Sequence, residues 1–280
     1  MLKKRAILIT ALVTIVVAAV AVFLYAARRP AAVPSPHAIV PPSIHYARDP
    51  SHPVTAIHLA AVYFVPKDIA ASADASWRDT FNHALAELVR FYEFELHGAV
   101  AITYTVYPTP IIGEANHHVY DGGDTNRGNP NALAAVSAEL GRRLFTPGGD
   151  HYDASFVRSV PGTDEALAIL YEGVGSIATL RLAAGEQQAP NPLYQHSLIE
   201  LDGVEWPVFL VSRFFLTTEG YRDYGETVFA HEFAHLFGLD DRFDADGNPT
   251  SDDIMGSGRF LPLVNTYLSL EDKRELGLTY

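Results

Sequence analysis

Cysteine is absent from the 280 residues, so this chain can form no disulfide framework, lipidated cysteine or thiol switch. Redox usage therefore assigns no compartment. Methionine is almost as scarce, with Met255 the only one besides the initiator. Positive charge is thin over most of the length. Of the net −13, residues 1 to 52 carry +5 and leave −18 on the remainder, which makes that remainder a poor partner for nucleic acid or anionic lipid. Internal repeats are also lacking.

What is present begins with an apolar run. Residues 6 to 27, AILITALVTIVVAAVAVFLYAA, carry no charge and lie between Lys3, Lys4 and Arg5 on one side and Arg28 and Arg29 on the other. That length suits a helix across a hydrocarbon layer with its N-terminus inside. It also exceeds the usual apolar region of a cleaved signal. The expectation is a cytoplasmic flank at 1 to 5 and an uncleaved signal anchor at 6 to 27; a cleaved signal and a secreted chain form the alternative. Pro30, Pro34, Pro36, Pro41, Pro42, Pro50 and Pro53 then punctuate residues 28 to 53, which suits an extended linker. The folded domain is expected over 54 to 280, on the outer side of the membrane. At 48% hydrophobic and 19% charged residues, the chain has the means to bury a substantial core.

Periodicity orders the elements of that domain. AIHLAAVYFV at 56 to 65 and VAITYTVYP at 100 to 108 read as strands, as do EALAILYEG and VEWPVFLVSRFFL further on. Helical spacing runs over 76 to 96, with Ser76 as its cap, over 131 to 145, and over GETVFAHEFAHLFGL, which stops at Gly238. The order β-α-β-α-β-β-α predicts an α+β fold, a mixed twisted sheet with helices packed on it. SLED at 269 to 272 has the spacing of a capping box for a final helix. Glu226 and Thr227, at the start of the third helix, are read as capping residues.

Chemistry concentrates in HEFAHLFGLDD, 231 to 241. On a helix, His231 and His235 share one face about 6 Å apart along the axis, so both imidazoles reach one metal ion. Glu232 lies beside the first histidine, where it can take a proton from a water without ligating. Zinc suits the set because it accepts imidazole and carboxylate and keeps a position open. A third ligand further along the helix would be carried away by the rise, so the chain must turn back. Gly238 can make that turn. Asp241 is then positioned to close the site, with Asp240 as the lesser candidate. The bland alternative is a buried amphipathic helix whose histidines are merely hydrogen-bonded.

These residues resemble the metzincin zinc peptidases, whose motif H-E-x-x-H-x-x-G-x-x-H precedes a methionine-containing turn. Here Asp241 stands in place of the last histidine, which is similar to the aspartate variant of snapalysin-like peptidases, and DDIMGSG at 252 to 258 looks like the methionine turn. The resemblance covers about 30 residues. It implies a metzincin-like zincin fold, with an upper subdomain at 54 to 238 and a lower one at 239 to 280 ending in a helix. It also implies zinc held by His231, His235 and Asp241, catalysis by Glu232, and support from Gly238 and Met255. Two departures stand out. The segment between Asp241 and Met255 is long, and residue 257, where some relatives carry a metal-linked tyrosine, is serine.

The function expected is a zinc-dependent endopeptidase acting on protein or peptide substrates. Two alternatives share the residues: a non-catalytic, metal-stabilised binding module, and a zinc hydrolase of a non-peptide amide. Intact Glu232 argues against the first, since a structural metal needs no base. A carboxylate ligand in place of imidazole also lowers the charge of the site and makes a bound water less acidic. An additional Ca2+ site is a further candidate on Asp244, Asp246, Asn248 and Asp252. A regular calcium loop is excluded by Pro249 and Met255, which stand where a glycine and a ligating glutamate belong. Asn116, His117 and His118 are read as an exposed loop rather than a metal site.

Overall fold

The apolar run Ala56–Val65 forms an interior strand of the main sheet. It belongs to a computed structural model that describes residues 43–121, 130–173, 177–179, 198–201 and 204–278. The apolar span at 6 to 27 and most of the linker after it lie outside the described residues. Among the described residues, no helix is long and apolar enough to cross a membrane.

Nine strands occur in the described residues: β1 Ile44–Tyr46, β2 Asp49–Val54, β3 Ala56–Val65, β4 Ala101–Val106, β5 Ile111–Ile112, β6 Asp164–Tyr171, β7 Ile177–Thr179, β8 Leu198–Leu201 and β9 Val204–Ser212. The main sheet runs β4-β3-β6-β9-β7, with β5 added to β3 and β8 to β9. Pairings among β3, β4, β5, β6 and β9 are parallel, whereas β7 and β8 meet β9 antiparallel. The sheet is therefore mixed, as expected of an α+β chain.

Successive side chains of β3 feed two different cores. Leu59, Ala61 and Tyr63 join one, and Ala60, Val62 and Phe64 the other. Burial on both faces explains why this strand is apolar almost throughout instead of alternating. Helix α1, Trp77–Glu95, and a later helix, α5, Gly225–Leu236, cover the first face. Between them in the chain lie the short α2, His117–Tyr120, then α3, Pro130–Leu140, and α4, Phe214–Thr217. Helix α3 packs on the second face through Leu133, Val136 and Leu140. The last helix is α6, Leu270–Glu275.

Several expectations need correction. The folded part begins about ten residues before Val54, because Ile44 pairs with Val54 and His45 with Pro53 in a two-stranded ribbon. Two prolines are tolerated there since such a ribbon is all edge and needs few ladder N–H groups. The second helix stops being α-helical at Leu140 and continues as one wider π-type turn, Gly141–Phe145. The strand expected to reach residue 216 ends at Ser212, where the chain turns into α4. Ser76 does not cap through its side chain; its hydroxyl donates to Asp74 Oδ2 at 2.8 Å. Glu226 and Thr227 do not cap either. Glu226 faces His83 at 2.9 Å, and the Thr227 hydroxyl donates to the Leu261 carbonyl at 2.6 Å.

Candidate metal centre

Helix α5 carries two stripes, each at i, i+4 spacing. Phe229 and Phe233 are fully buried and meet Phe209 of β9 with ring centroids 5.0 and 6.1 Å away. Each such ring contributes about 1.5–3 kcal/mol on full burial. Tyr92 of α1 packs edge-on against Phe233 at 4.8 Å, and its hydroxyl donates to the Ala230 carbonyl at 2.7 Å. The second stripe, His231 and His235, is offset by two residues, about 200° around the helix. Burying the phenylalanines against the sheet therefore turns both imidazoles the other way, with ring centroids 4.7 Å apart.

The turn after α5 is built as expected. Gly238 has φ +86°, and its N–H donates to the His235 carbonyl at 2.9 Å. A side chain at that φ would be strained. The chain reverses, and Asp241 Oδ1 comes to 3.3 Å from His231 Nε2 and 3.8 Å from His235 Nε2. One donor atom from each of the three residues lies within 4.8 Å of the others, and among the described residues this is the one such cluster of three. Asp240 points elsewhere: it pairs with Arg48, and its side chain is 72% exposed.

The tautomer of both histidines follows from their other nitrogens. His231 Nδ1 lies 2.8 Å from the Ile254 carbonyl, and His235 Nδ1 lies 2.7 Å from that of Leu239. A carbonyl only accepts, so each Nδ1 carries the hydrogen, and each ring in its neutral form would offer its Nε2 lone pair on the Asp241 side. Donors bound to tetrahedral zinc at about 2.0–2.1 Å stand about 3.3–3.4 Å apart, a spacing the two Asp241 contacts approach. Two imidazoles and a carboxylate therefore fit zinc in number, type and spacing. Glu232 is buried beside them, with Oε1 at 3.9 Å from His231 Nε2.

The methionine segment is bound to this helix by the Ile254 carbonyl. Met255 is fully buried in the core that also holds Phe233 and Ala234. Its N–H, with that of Gly256, donates to Asp253 Oδ1 at 2.9 and 3.1 Å. Burial raises the Asp253 pKa, and the negative charge of Asp272 adds to the rise. A Cβ at Gly256 would stand 2.2 Å from the Ser251 carbonyl oxygen, and one at Gly258 would stand 2.5 Å from that of Asp253. Both glycines are thus required by close approach. Ser257 turns its hydroxyl to the Ser251 carbonyl at 3.2 Å.

The proposed calcium residues do not converge. Asp244 spends its carboxylate on its own loop, accepting from the N–H groups of Asp246 and Asn248 at 3.0 and 2.8 Å. Asp252 pairs instead with the Tyr267 hydroxyl. His117 sits at the start of α2 against Asp68, with its ring 2.5 Å from that carboxylate.

Sequence reasoning missed Arg259. Its Nη1 lies 3.1 Å from Asp241 Oδ1 and 3.5 Å from His231 Nε2. The guanidinium covers the Phe243 ring at 4.3 Å and the Phe260 ring at 4.9 Å. Burial lowers the Arg259 pKa, opposed by the negative charge of Glu232. The signal available was a lone cation in GSGRFLPL, between glycines and apolar residues.

No family model and no curated protein matches the chain. Among solved structures, it is similar to a zinc-dependent peptidase from Methanocorpusculum labreanum (strain Z), with 16% identity over 79% of this chain and 99% of that one, and a TM-score of 0.34. At that score the likeness assigns no residue a role, and the functional reading rests on the site.

Proposed function

We propose that the chain is a zinc-dependent endopeptidase of the metzincin type in which Asp241 takes the place of a third histidine. The observation that carries the reading is the convergence of two imidazoles and one carboxylate within 4.8 Å, beside a buried glutamate that is not part of that set. His231, His235 and Asp241 would hold the metal, with Gly238 and Met255 supporting them. Zinc bound there supplies a Lewis acid that activates water and polarises a peptide carbonyl. Glu232 accepts the proton released by the attacking water and delivers it to the departing amine. The Ile254 and Leu239 carbonyls hold the imidazoles in the tautomer and orientation that ligation needs. The span at 6 to 27 is proposed to anchor this domain on the outer side of a membrane, where its substrates are proteins or peptides.

Elemental analysis of the purified chain, paired with a peptide-library digest, tests the proposal. About one zinc per chain and cleavage of internal bonds are expected. Glu232→Ala should keep its zinc and its fold while turnover falls about 10²-fold or more. A Glu232→Ala variant that cleaves as fast as the parent would remove Glu232 as the base, whereas a zinc-loaded parent that cleaves nothing would leave the binding-module reading standing instead.

A further inference from the structure

We infer that Arg259 is the second positive group of this centre: it offsets the charge that Asp241 removes from the metal and donates to the substrate oxygen that gains negative charge in the reaction. The inference rests on the peptidase reading and extends it to a residue outside the motif.

The argument starts with where the guanidinium is. Arg259 Nη1 lies 3.1 Å from the same Asp241 oxygen that His231 and His235 approach at 3.3 and 3.8 Å. The side chain is only 19% exposed. Its stem is short on freedom as well, because the Phe243 and Phe260 rings flank the guanidinium. The backbone beneath is fixed by Ser257 and Gly258, whose N–H groups donate to the Ser251 and Asp253 carbonyls at 3.0 and 2.9 Å. Arg259 is thus aimed at the centre by the turn that also presents Met255.

Charge explains why such a group belongs there. A histidine ligand is neutral, whereas Asp241 cancels one unit of a divalent ion's charge and weakens its pull on electrons of a bound carbonyl. Arginine stays protonated at any working pH, and it offers several N–H donors in a rigid fork. Placed beside the ligands, it returns the lost unit without ligating. Residue 257 is a serine turned to the Ser251 carbonyl, so it does not supply that donor.

The competing role is a clamp that merely orients Asp241, and the two roles predict opposite signs for metal affinity. A neighbouring cation repels zinc, so Arg259→Met should bind zinc more tightly, about tenfold or more. Loss of a clamp should weaken binding, about 10–100-fold for an outer partner. Zinc affinity would be measured on the full chain by competition with a chromophoric chelator, alongside thermal unfolding of the metal-free protein. Turnover of Arg259→Met should fall about 10²–10³-fold with KM little changed, the pattern of a lost transition-state donor. Arg259→Lys keeps the charge and loses the fork, so its zinc affinity should match the parent and its turnover should lie between the two. A zinc-binding, active parent whose Arg259→Met variant loses zinc affinity overturns this inference alone. So does one whose Arg259→Met keeps full turnover. A parent that binds no zinc and cleaves nothing overturns the peptidase reading and this inference together.

Discussion

Asp240 and Asp241 are the same side chain on neighbouring positions, and their surroundings separate them. Asp241 faces two imidazoles and a guanidinium, whereas Asp240 projects outward to Arg48. Asp241→Ala should therefore reduce zinc affinity by more than the 10–100-fold typical of an outer partner, and activity should fall with it. Asp240→Ala removes one surface ion pair, a loss of about 0–1 kcal/mol in stability with zinc content unchanged. Zinc titration of both variants checks the pair. If Asp240→Ala is the one that loses zinc, the ligand is misassigned. The spacing from Gly238 favoured Asp241 in the sequence, but only the reversal of the chain after Leu239 shows which carboxylate returns to the histidines.

At the scale of elements, what could be read depended on whether an element is decided by its own residues. The capping box of α6 is local and was legible: Ser269 Oγ accepts from the Asp272 N–H at 3.1 Å, and Asp272 Oδ2 accepts from that of Ser269 at 3.0 Å. Its second task was not legible. Asp272 is fully buried, and its other oxygen takes Arg242 Nη2 at 2.5 Å and Nε at 3.0 Å, which ties the chain just after Asp241 to the last helix. Asp272→Ala should destabilise the domain by about 3 kcal/mol, combining a broken capping box with the loss of the fully buried carboxylate that binds a partly buried arginine in two hydrogen bonds. Urea unfolding of the metal-free protein measures it. A cost below about 1 kcal/mol would mean that Glu271 and Glu275, at 3.0 and 3.4 Å from Arg242, take over the charge. The caps assigned to Ser76, Glu226 and Thr227 failed for a related reason: each has a partner outside its own helix turn or ahead of it, and propensity does not register such partners.

At the scale of the molecule, the ribbon of β1 and β2 closes one side of the fold. The His45 N–H donates to the Leu276 carbonyl at 3.0 Å and that of Ala47 to the Phe237 carbonyl at 2.8 Å, while Ile44 is buried in the core that contains α5. The ribbon thus joins the end of α5 to the end of α6. A chain starting at residue 54 should melt several degrees below one starting at 43, since about 1 kcal/mol shifts a domain of this size by about 2–4 °C and more than one contact is lost. Its zinc should also be easier to strip with a chelator, because Phe237, at the end of α5, loses its hydrogen bond from Ala47. Thermal melts and chelator competition on the two chains decide this. Equal melting temperatures would mean that the ribbon is an appendage.

The sequence by itself determined the order of strands and helices around residues 56 to 65, 77 to 95 and 225 to 236. It also determined the pairing of His231 with His235 on one helix face, the turn at Gly238, and the cap at Ser269. These are set by periods of two and 3.6 residues, by glycine's access to positive φ and by hydrogen bonds spanning three residues, all within reach of a single segment. The tertiary structure alone decided that proline-bearing residues 49 to 54 form a strand, that the Ile254 and Leu239 carbonyls fix the imidazoles, and that Arg259 joins Asp241 across 18 residues of chain. The Leu239 contact needs only the chain reversal at Gly238, whereas the Ile254 and Arg259 contacts depend on how a distant segment returns. Such a return is fixed by packing against the two-faced sheet, and no residue type or spacing within the motif encodes it.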